Sequence, residues 1–466
     1  MTFASILFLF ILLPLLLICC FVLTRIHDKQ KLKHGKLGLI LAANLFFYMW
    51  AGFGALFITL IYCVAAFLLC RLVYAYKRKL MLTAAAVVLL LPLLFLKYTD
   101  FLIDTINQLF GTGMPELGLL LPLGVSFYTF QALSLIVDTY RGRVEEKTSL
   151  LYAVCYLMFM PTVTSGPITR FDVFQTGLSS EITYSDLSEG IQRFVVGLAK
   201  KTLIAEKLLP LADYFFNGVA AGGSFSIGGR WIGSVAYTLQ LYFDFSGYSD
   251  MAIGLGRMLG FRLPENFDAP YHSKSIREFW RRWHITLGAW FRDYVYIPMG
   301  GSRCSGAREL WNLGLVWFLT GFWHGANWTF LIWGGAYFLL LVLEKRVGLA
   351  KKLGRVKLNT VYTLFCVNLL WVLFRSADVC SAGSYLGGMF GFNGHAALPL
   401  EEKALRFLPF LAFAALLCLP WKKWFGRYTG KRGFHVVKGI TLCVLMFLCV
   451  CAVMNSTYTP FIYGQF

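Results

Sequence analysis

Long uncharged apolar runs constrain this chain more than any other feature. Ala4–Leu23, Met81–Leu96 and Gly439–Val453 contain no charged residue. Such runs approach or reach the roughly 20 residues that a helix needs to cross a hydrocarbon layer ~30 Å thick. A backbone in that layer must satisfy its own hydrogen bonds, so the expected fold class is an all-α integral membrane protein. Of the 466 residues 58% are hydrophobic and only 14% charged, against about a quarter charged in a soluble domain. Further candidate spans are Gly38–Cys70 (a hairpin turning near Gly52–Gly54), Leu119–Val137, Leu150–Val163, Ile191–Leu211, Ile232–Leu259, Leu310–Trp333, Tyr337–Leu343, Val361–Phe374 and Phe407–Leu419. About ten spans are expected, in one membrane domain covering residues 1–466. The first run has no basic leader and no small-residue cleavage site, so it reads as a retained span.

The net charge of +19 would suggest nucleic acid in a soluble protein, but here no nucleic-acid partner is expected, because the basic residues collect between spans. They form four clusters, Arg25–Lys36, Arg71–Lys79, Lys345–Lys357 and Lys422–Lys438. Intervening connections carry Asp100, Asp104 and Glu116, or Asp378, Glu401 and Glu402. The positive-inside rule puts the basic clusters in the cytoplasm and both termini on the other side of the membrane, with lipid as the surrounding partner. The twelve cysteines have no metal or redox spacing and read as small hydrophobes.

Chemistry is sought among seven histidines. His27, His34 and His435 lie in basic loops and His395 in an outer loop, as solvated surface groups; His272 beside Pro270 and Tyr271 is ambiguous. His324 is different: no Asp, Glu, Lys or Arg lies between Glu309 and Glu344. An ionisable side chain at membrane depth is costly and suggests function; the alternative is a packing histidine, with Gly321 and Gly325 explained by close helix contact. His284 lies in residues 261–309, a segment too charged to span and too aromatic to float in water. A continuous helix there puts Arg277, Arg281, His284 and Gly288 on one stripe, and Trp280, Trp283, Leu287, Trp290 and Tyr294 on another. Such a helix is interfacial or re-entrant, and its histidine either reacts or binds headgroups. Two imidazoles suit acyl transfer from a thioester. One takes the proton of an attacking hydroxyl, while a fixed donor such as the other imidazole, Asn327 or an arginine meets the oxyanion. A two-histidine metal site competes, but no carboxylate or cysteine accompanies either histidine at ligand spacing.

Five ordered segments carry a resemblance: LPLGVSFYTFQALSLIVDTYRG (Leu121–Gly142), PTVTSGPITRF (Pro161–Phe171), YFDFSGYSDMAIG (Tyr242–Gly254), Glu265–Arg303 with its REFWRRWHITLG, and LTGFWHGANWTFLIWG (Leu319–Gly334). Together they resemble the membrane-bound O-acyltransferase superfamily, in its bacterial alginate O-acetyltransferase branch. The motif core is residues 121–334, and the tail 455–466, ending FIYGQF, extends the likeness.

The resemblance implies a ring of membrane helices around a thin central region crossed by a tunnel, with re-entrant helices. It implies that His324 is the active-site histidine and His284 the second functional one. Arg281 and Arg282 would contact the acyl donor, unless either pairs with a carboxylate on a neighbouring element. No bound cofactor is implied; the donor, acetyl-CoA or a carrier-protein thioester, is a substrate. The implied reaction is O-acetylation of a cell-surface or secreted polysaccharide, completed by an extracytoplasmic SGNH-type partner. A near relative of this reading is D-alanyl transfer to teichoic acid. Tyr463 would relay the acyl group as a phenyl ester, or else anchor the tail at the interface; Gly464 departs from the bulkier residue expected there. A transporter or lipid flippase is the reading from another class.

Overall fold

The apolar runs fold as helices throughout the residues that the computed structural model describes, 2–144, 149–392, 398–421 and 432–455. Among these residues there is no β-strand, only an isolated bridge between Phe267 and Trp283. The chain divides into two units, one containing Met1–Leu198 and Tyr248–Glu265, the other Ala199–Gly247 and Asn266–Asn455. Tyr463 and His395 lie outside the described residues.

The first unit opens with a π-helical turn at Phe8–Leu12 and α1 (Leu13–Leu23), then α2 (Lys29–Ala51), α3 (Phe53–Tyr76), α4 (Lys79–Phe110), α5 (Val125–Tyr140), α6 (Leu150–Leu157) and α7 (Phe171–Ser179). Asp28 starts α2 by accepting a hydrogen bond from Lys31 N at 2.8 Å, the usual N-cap arrangement. The expected hairpin is present: α2 stops at Gly52, whose φ of 121° is open to glycine, and α3 begins at the next residue. Lys36, counted with a basic cluster between spans, is buried. Its ammonium donates to the carbonyls of Gly177 and Ser180 at 2.9 and 2.6 Å, closing the C-terminal end of α7.

The expected span Leu150–Val163 is corrected. Its helix ends at Leu157, and the following segment, with Pro161 and Pro167, is irregular yet buried. Side chains satisfy its backbone there, as burial requires. Asn44 donates to Cys155 O at 3.2 Å and accepts from Met160 N at 2.9 Å, and Tyr156 donates to Thr169 O at 2.8 Å.

After α8 (Tyr184–Ala199) come a π-helical stretch Lys200–Ala205, α9 (Glu206–Ala220), α10 (Ile227–Met258), α11 (Ile276–Arg282) and α12 (Ile285–Phe291). Then follow α13 (Gly306–His324), α14 (Trp328–Val347), α15 (Leu349–Arg355), α16 (Asn359–Arg375), α17 (Val379–Met389), α18 (Glu402–Leu417) and α19 (Arg432–Asn455). Among the described residues three helices are each long and apolar enough to cross a membrane: α3, α4 and the His435–Asn455 part of α19. Phe8–Leu23 and Asn359–Arg375 are shorter apolar helices.

The expected span Leu310–Trp333 is also corrected, because the chain breaks after His324 into the hairpin α13–α14, and Tyr337–Leu343 is the continuation of α14. Glu309 near the start of α13 pairs with Lys345 near the end of α14. The two backbones nearly touch at two glycines. A Cβ on Gly321 would come within 2.4 Å of Phe330 O, and one on Gly334 within 2.5 Å of Trp317 O. Small residues at a crossing permit this approach. Gly321→Val should therefore force the hairpin apart and destabilise by about 1–3 kcal/mol or more, read as a lower thermal midpoint in detergent. Gly335→Ala, where an added Cβ meets nothing within 4 Å, should leave that midpoint unchanged or slightly raised.

Candidate active site

The segment leading to His284 is built from caps. Ser275 accepts from Glu278 N at 3.0 Å, and Glu278 reaches back to Lys274 N at 2.8 Å, a Ser-x-x-Glu start to α11. Glu344 of α14 adds a cap from outside, accepting from Ile276 N at 2.7 Å and Arg277 N at 3.2 Å. Arg281 and Arg282 close α11, where positive charge suits the helix dipole. Arg282 is also held by Glu278 at 2.6 Å and approaches Asp268 at 3.8 Å. Arg281 is exposed.

The continuous helix expected through 277–296 is corrected. Residues Asn266–Asp268 run beside Arg282–Ile285 and take over their backbone hydrogen bonds: Asp268 N donates to Arg282 O and Ile285 N to Asn266 O, both at 3.0 Å. Trp283 becomes extended, and His284 takes a left-handed conformation (φ 45°, ψ 52°) before α12 begins. The single stripe joining Arg277 and Arg281 to His284 therefore does not exist. His284 and Gly288 still share a face, because they bracket the first turn of α12, with Gly288 N donating to His284 O at 3.2 Å. After α12, Arg292–Tyr296 form a π-helical turn in which Arg292 pairs with Asp293 at 2.7 Å.

His284 is buried, at 1% exposure. Its Nδ1 lies 3.2 Å from Asn266 Oδ1, its ring stands edge-on to Phe245 at 4.8 Å, and the Trp323 ring is 6.1 Å away. It lines a largely apolar cavity of about 170 Å³ with Trp280, Gly288, Tyr296, Trp317 and Thr320; Arg292 also contributes. Arg281 lies outside that lining.

His324 ends α13 and is likewise buried. Its ring contacts Trp323 at 5.0 Å, Trp333 at 5.1 Å and Phe374 at 5.2 Å. Trp333 and Phe374 are themselves almost fully buried, so this imidazole sits in protein interior rather than against lipid. The cavity lining does not include His324. Trp323 touches both imidazoles, and Trp280 of the lining meets Trp333 at 5.5 Å, so the two histidines share one aromatic cluster.

Asn327 has a different place. It is the N-cap of α14, accepting from Thr329 N at 3.0 Å, and its amide donates to Ala377 O at 2.7 Å. Among the described residues no group of three or more His, Cys, Asp or Glu is placed to hold a metal ion. Sequence reasoning missed Asn266, Thr286 and the joining role of Trp323. Asn266 sits inside the quoted motif segment, but its signal is conformational and carries no periodicity.

Residues 141–373 match the family model described as MBOAT, membrane-bound O-acyltransferase family. The chain is 38% identical over 417 residues to a protein of Azotobacter vinelandii named probable alginate O-acetylase AlgI, covering 87% of this chain and 81% of that one. A peptidoglycan O-acetyltransferase of Helicobacter pylori is 36% identical, over 72% of this chain and 69% of its own. A teichoic acid D-alanyltransferase of Bacillus subtilis is 31% identical, over 56% and 68% respectively.

The geometry of Asn327 makes a prediction. As a cap, it should be replaced by Ser at a cost of a few tenths of a kcal/mol and by Ala at about 1 kcal/mol, with acyl transfer by Asn327→Ser near normal. An oxyanion donor at this position would instead lose about 10²–10³ in rate on either change. Thermal midpoint and initial rate, measured on the same preparations, separate the two.

Proposed function

Because the chain belongs to the membrane-bound O-acyltransferase family, as its ordered motifs implied, we propose that this membrane O-acyltransferase moves an acetyl group from a cytoplasmic thioester toward an extracytoplasmic hydroxyl. The acceptor is a cell-surface or secreted polysaccharide, the class for which the relatives from Azotobacter vinelandii and Helicobacter pylori are named. The whole chain works as one catalytic unit in the cytoplasmic membrane of a bacterium, with both termini outside.

The observation that carries the reading is a buried imidazole, His284, on a small apolar cavity, joined through Trp323 to a second buried imidazole, His324. The cavity, about 170 Å³, is similar in size to an engineered ~150 Å³ cavity that accepts benzene. That is room for the end of a short acyl thioester and not for a long chain. In the reaction the hydroxyl oxygen attacks the thioester carbonyl carbon and gives its proton to an imidazole. A fixed donor stabilises the oxyanion. The C–S bond then breaks, the sulfur takes up a proton, and an ester and a free thiol result. The apolar lining keeps water from hydrolysing the thioester.

The donor is acetyl-CoA or a carrier-protein thioester. The likeness to the Bacillus subtilis D-alanyltransferase favours D-alanyl transfer from a cytoplasmic carrier to teichoic acid as the second reading. In the first reading an extracytoplasmic SGNH-type partner completes the transfer. Tyr463 passes the acyl group on as a phenyl ester.

Labelled donor supplied to the purified protein in vesicles tests this. His324→Ala and His284→Ala should each lower acyl transfer by about 10²-fold or more, with insertion and thermal midpoint retained. Full transfer by His324→Ala would contradict the reading and favour a transporter or flippase, which needs no such base. Tyr463→Phe should abolish polymer acylation at normal expression; unchanged acylation would end the relay role.

A further inference from the structure

Gly288 is a glycine that neither its own backbone nor its neighbours require. It lies inside the seven-residue helix α12, where alanine would be the better helix former. Its φ is outside the positive range that favours glycine. Nor does another backbone press on it. A Cβ on Gly321 or Gly334 would collide with a carbonyl at 2.4 or 2.5 Å, whereas one on Gly288 meets only Trp280 O, at an ordinary contact distance of 3.8 Å. Gly288 is exposed although Leu287 before it and Trp290 after it are buried, and it lines the cavity of about 170 Å³ beside His284. What the missing side chain leaves open is therefore room in that cavity.

We propose that Gly288 is a specificity-determining residue, whose absent side chain sets the size of the acyl group that the cavity admits, at two or three carbons. The inference rests on the acyltransferase reading and deepens it by bounding the acyl substrate. Two helices wall the cavity. His284, Leu287 and Gly288 stand three and four residues apart at the start of α12, and Val316, Trp317 and Thr320 have matching spacing on α13, so each set shares one helix face. Any carbon added at Gly288 would stand in the space between these walls and take it from the acyl chain. Thr320 is the position of opposite effect: it is buried in the second wall, and shortening it adds room.

The test is the ratio of kcat/KM for labelled propionyl and acetyl transfer by full-length protein in vesicles, for wild type, Gly288→Ala and Thr320→Ala. Both acyl groups are presented as coenzyme A and as pantetheine thioesters. Gly288→Ala should lower the propionyl-to-acetyl ratio by about 10-fold or more, the usual worth of one methylene in an apolar pocket. Its thermal midpoint should be unchanged or higher, because alanine suits the helix and clashes with nothing. Thr320→Ala should raise the ratio. A ratio unmoved in Gly288→Ala, or an equal loss with both acyl groups, would overturn the assignment while leaving the enzyme reading intact. Failure of the folded wild type to transfer either acyl group from either thioester would instead bring down the reading on which the assignment stands.

Discussion

Inside an apolar layer a backbone cannot leave its N–H and C=O groups to water, and the break at His284 exists only because residues 266–268 meet that demand. Two backbone hydrogen bonds, which pair Phe267 with Trp283 as an isolated bridge, replace the helical ones lost between α11 and α12. Without that short pairing the segment would relax into the uninterrupted helix that its residue spacing favours. His284 would then sit on a basic stripe instead of on a cavity. The glycine crossing of α13 and α14 has the parallel role for His324. It brings the helices close enough for the chain to reverse within Gly325–Asn327 and leave the imidazole at the helix end.

What surrounds these two breaks is aromatic rather than charged. Trp280, Trp317, Trp323, Trp333 and Phe374 enclose or connect the imidazoles, and ionic groups stay at the margins. Glu344 and Glu278 spend their carboxylates on the start of α11, and Arg282 pairs with Glu278. Such a layout suits a reaction in which both reactants bring their own polarity. The thioester and hydroxyl of the proposed reaction need a base and an oxyanion partner, and little else that water could reach. The low polarity of the lining strengthens each hydrogen bond formed there.

Helical class, the α2–α3 hairpin at Gly52 and the singular position of His324 were all legible in the sequence, because hydropathy, glycine and isolated polarity are local signals. Long-range competition was not. The helix break at His284 depends on a segment about 16 residues upstream, and periodicity cannot register a neighbour that steals hydrogen bonds. The same limit applies to Leu150–Val163, whose second half is irregular and has Met160 N held by Asn44 of α2. It also explains Lys36, which reads as one of a cytoplasmic basic cluster and is a buried helix cap. For Arg282 the alternative to donor contact was a carboxylate on a neighbouring element; its close partner is instead Glu278 of its own helix, with Asp268 3.8 Å away. Asn327 was read for its amide chemistry, and the structure gives it a cap to hold.

The proposed function places the acyl donor in the cavity that His284 lines, and this is open to direct measurement. Histidines of the purified protein can be carbethoxylated with and without a non-transferable thioether analogue of the donor, and modification mapped by mass spectrometry. Occupancy of the cavity predicts that the analogue slows modification of His284 selectively, in step with protection of activity. Equal modification of His284 with and without a saturating analogue would contradict it.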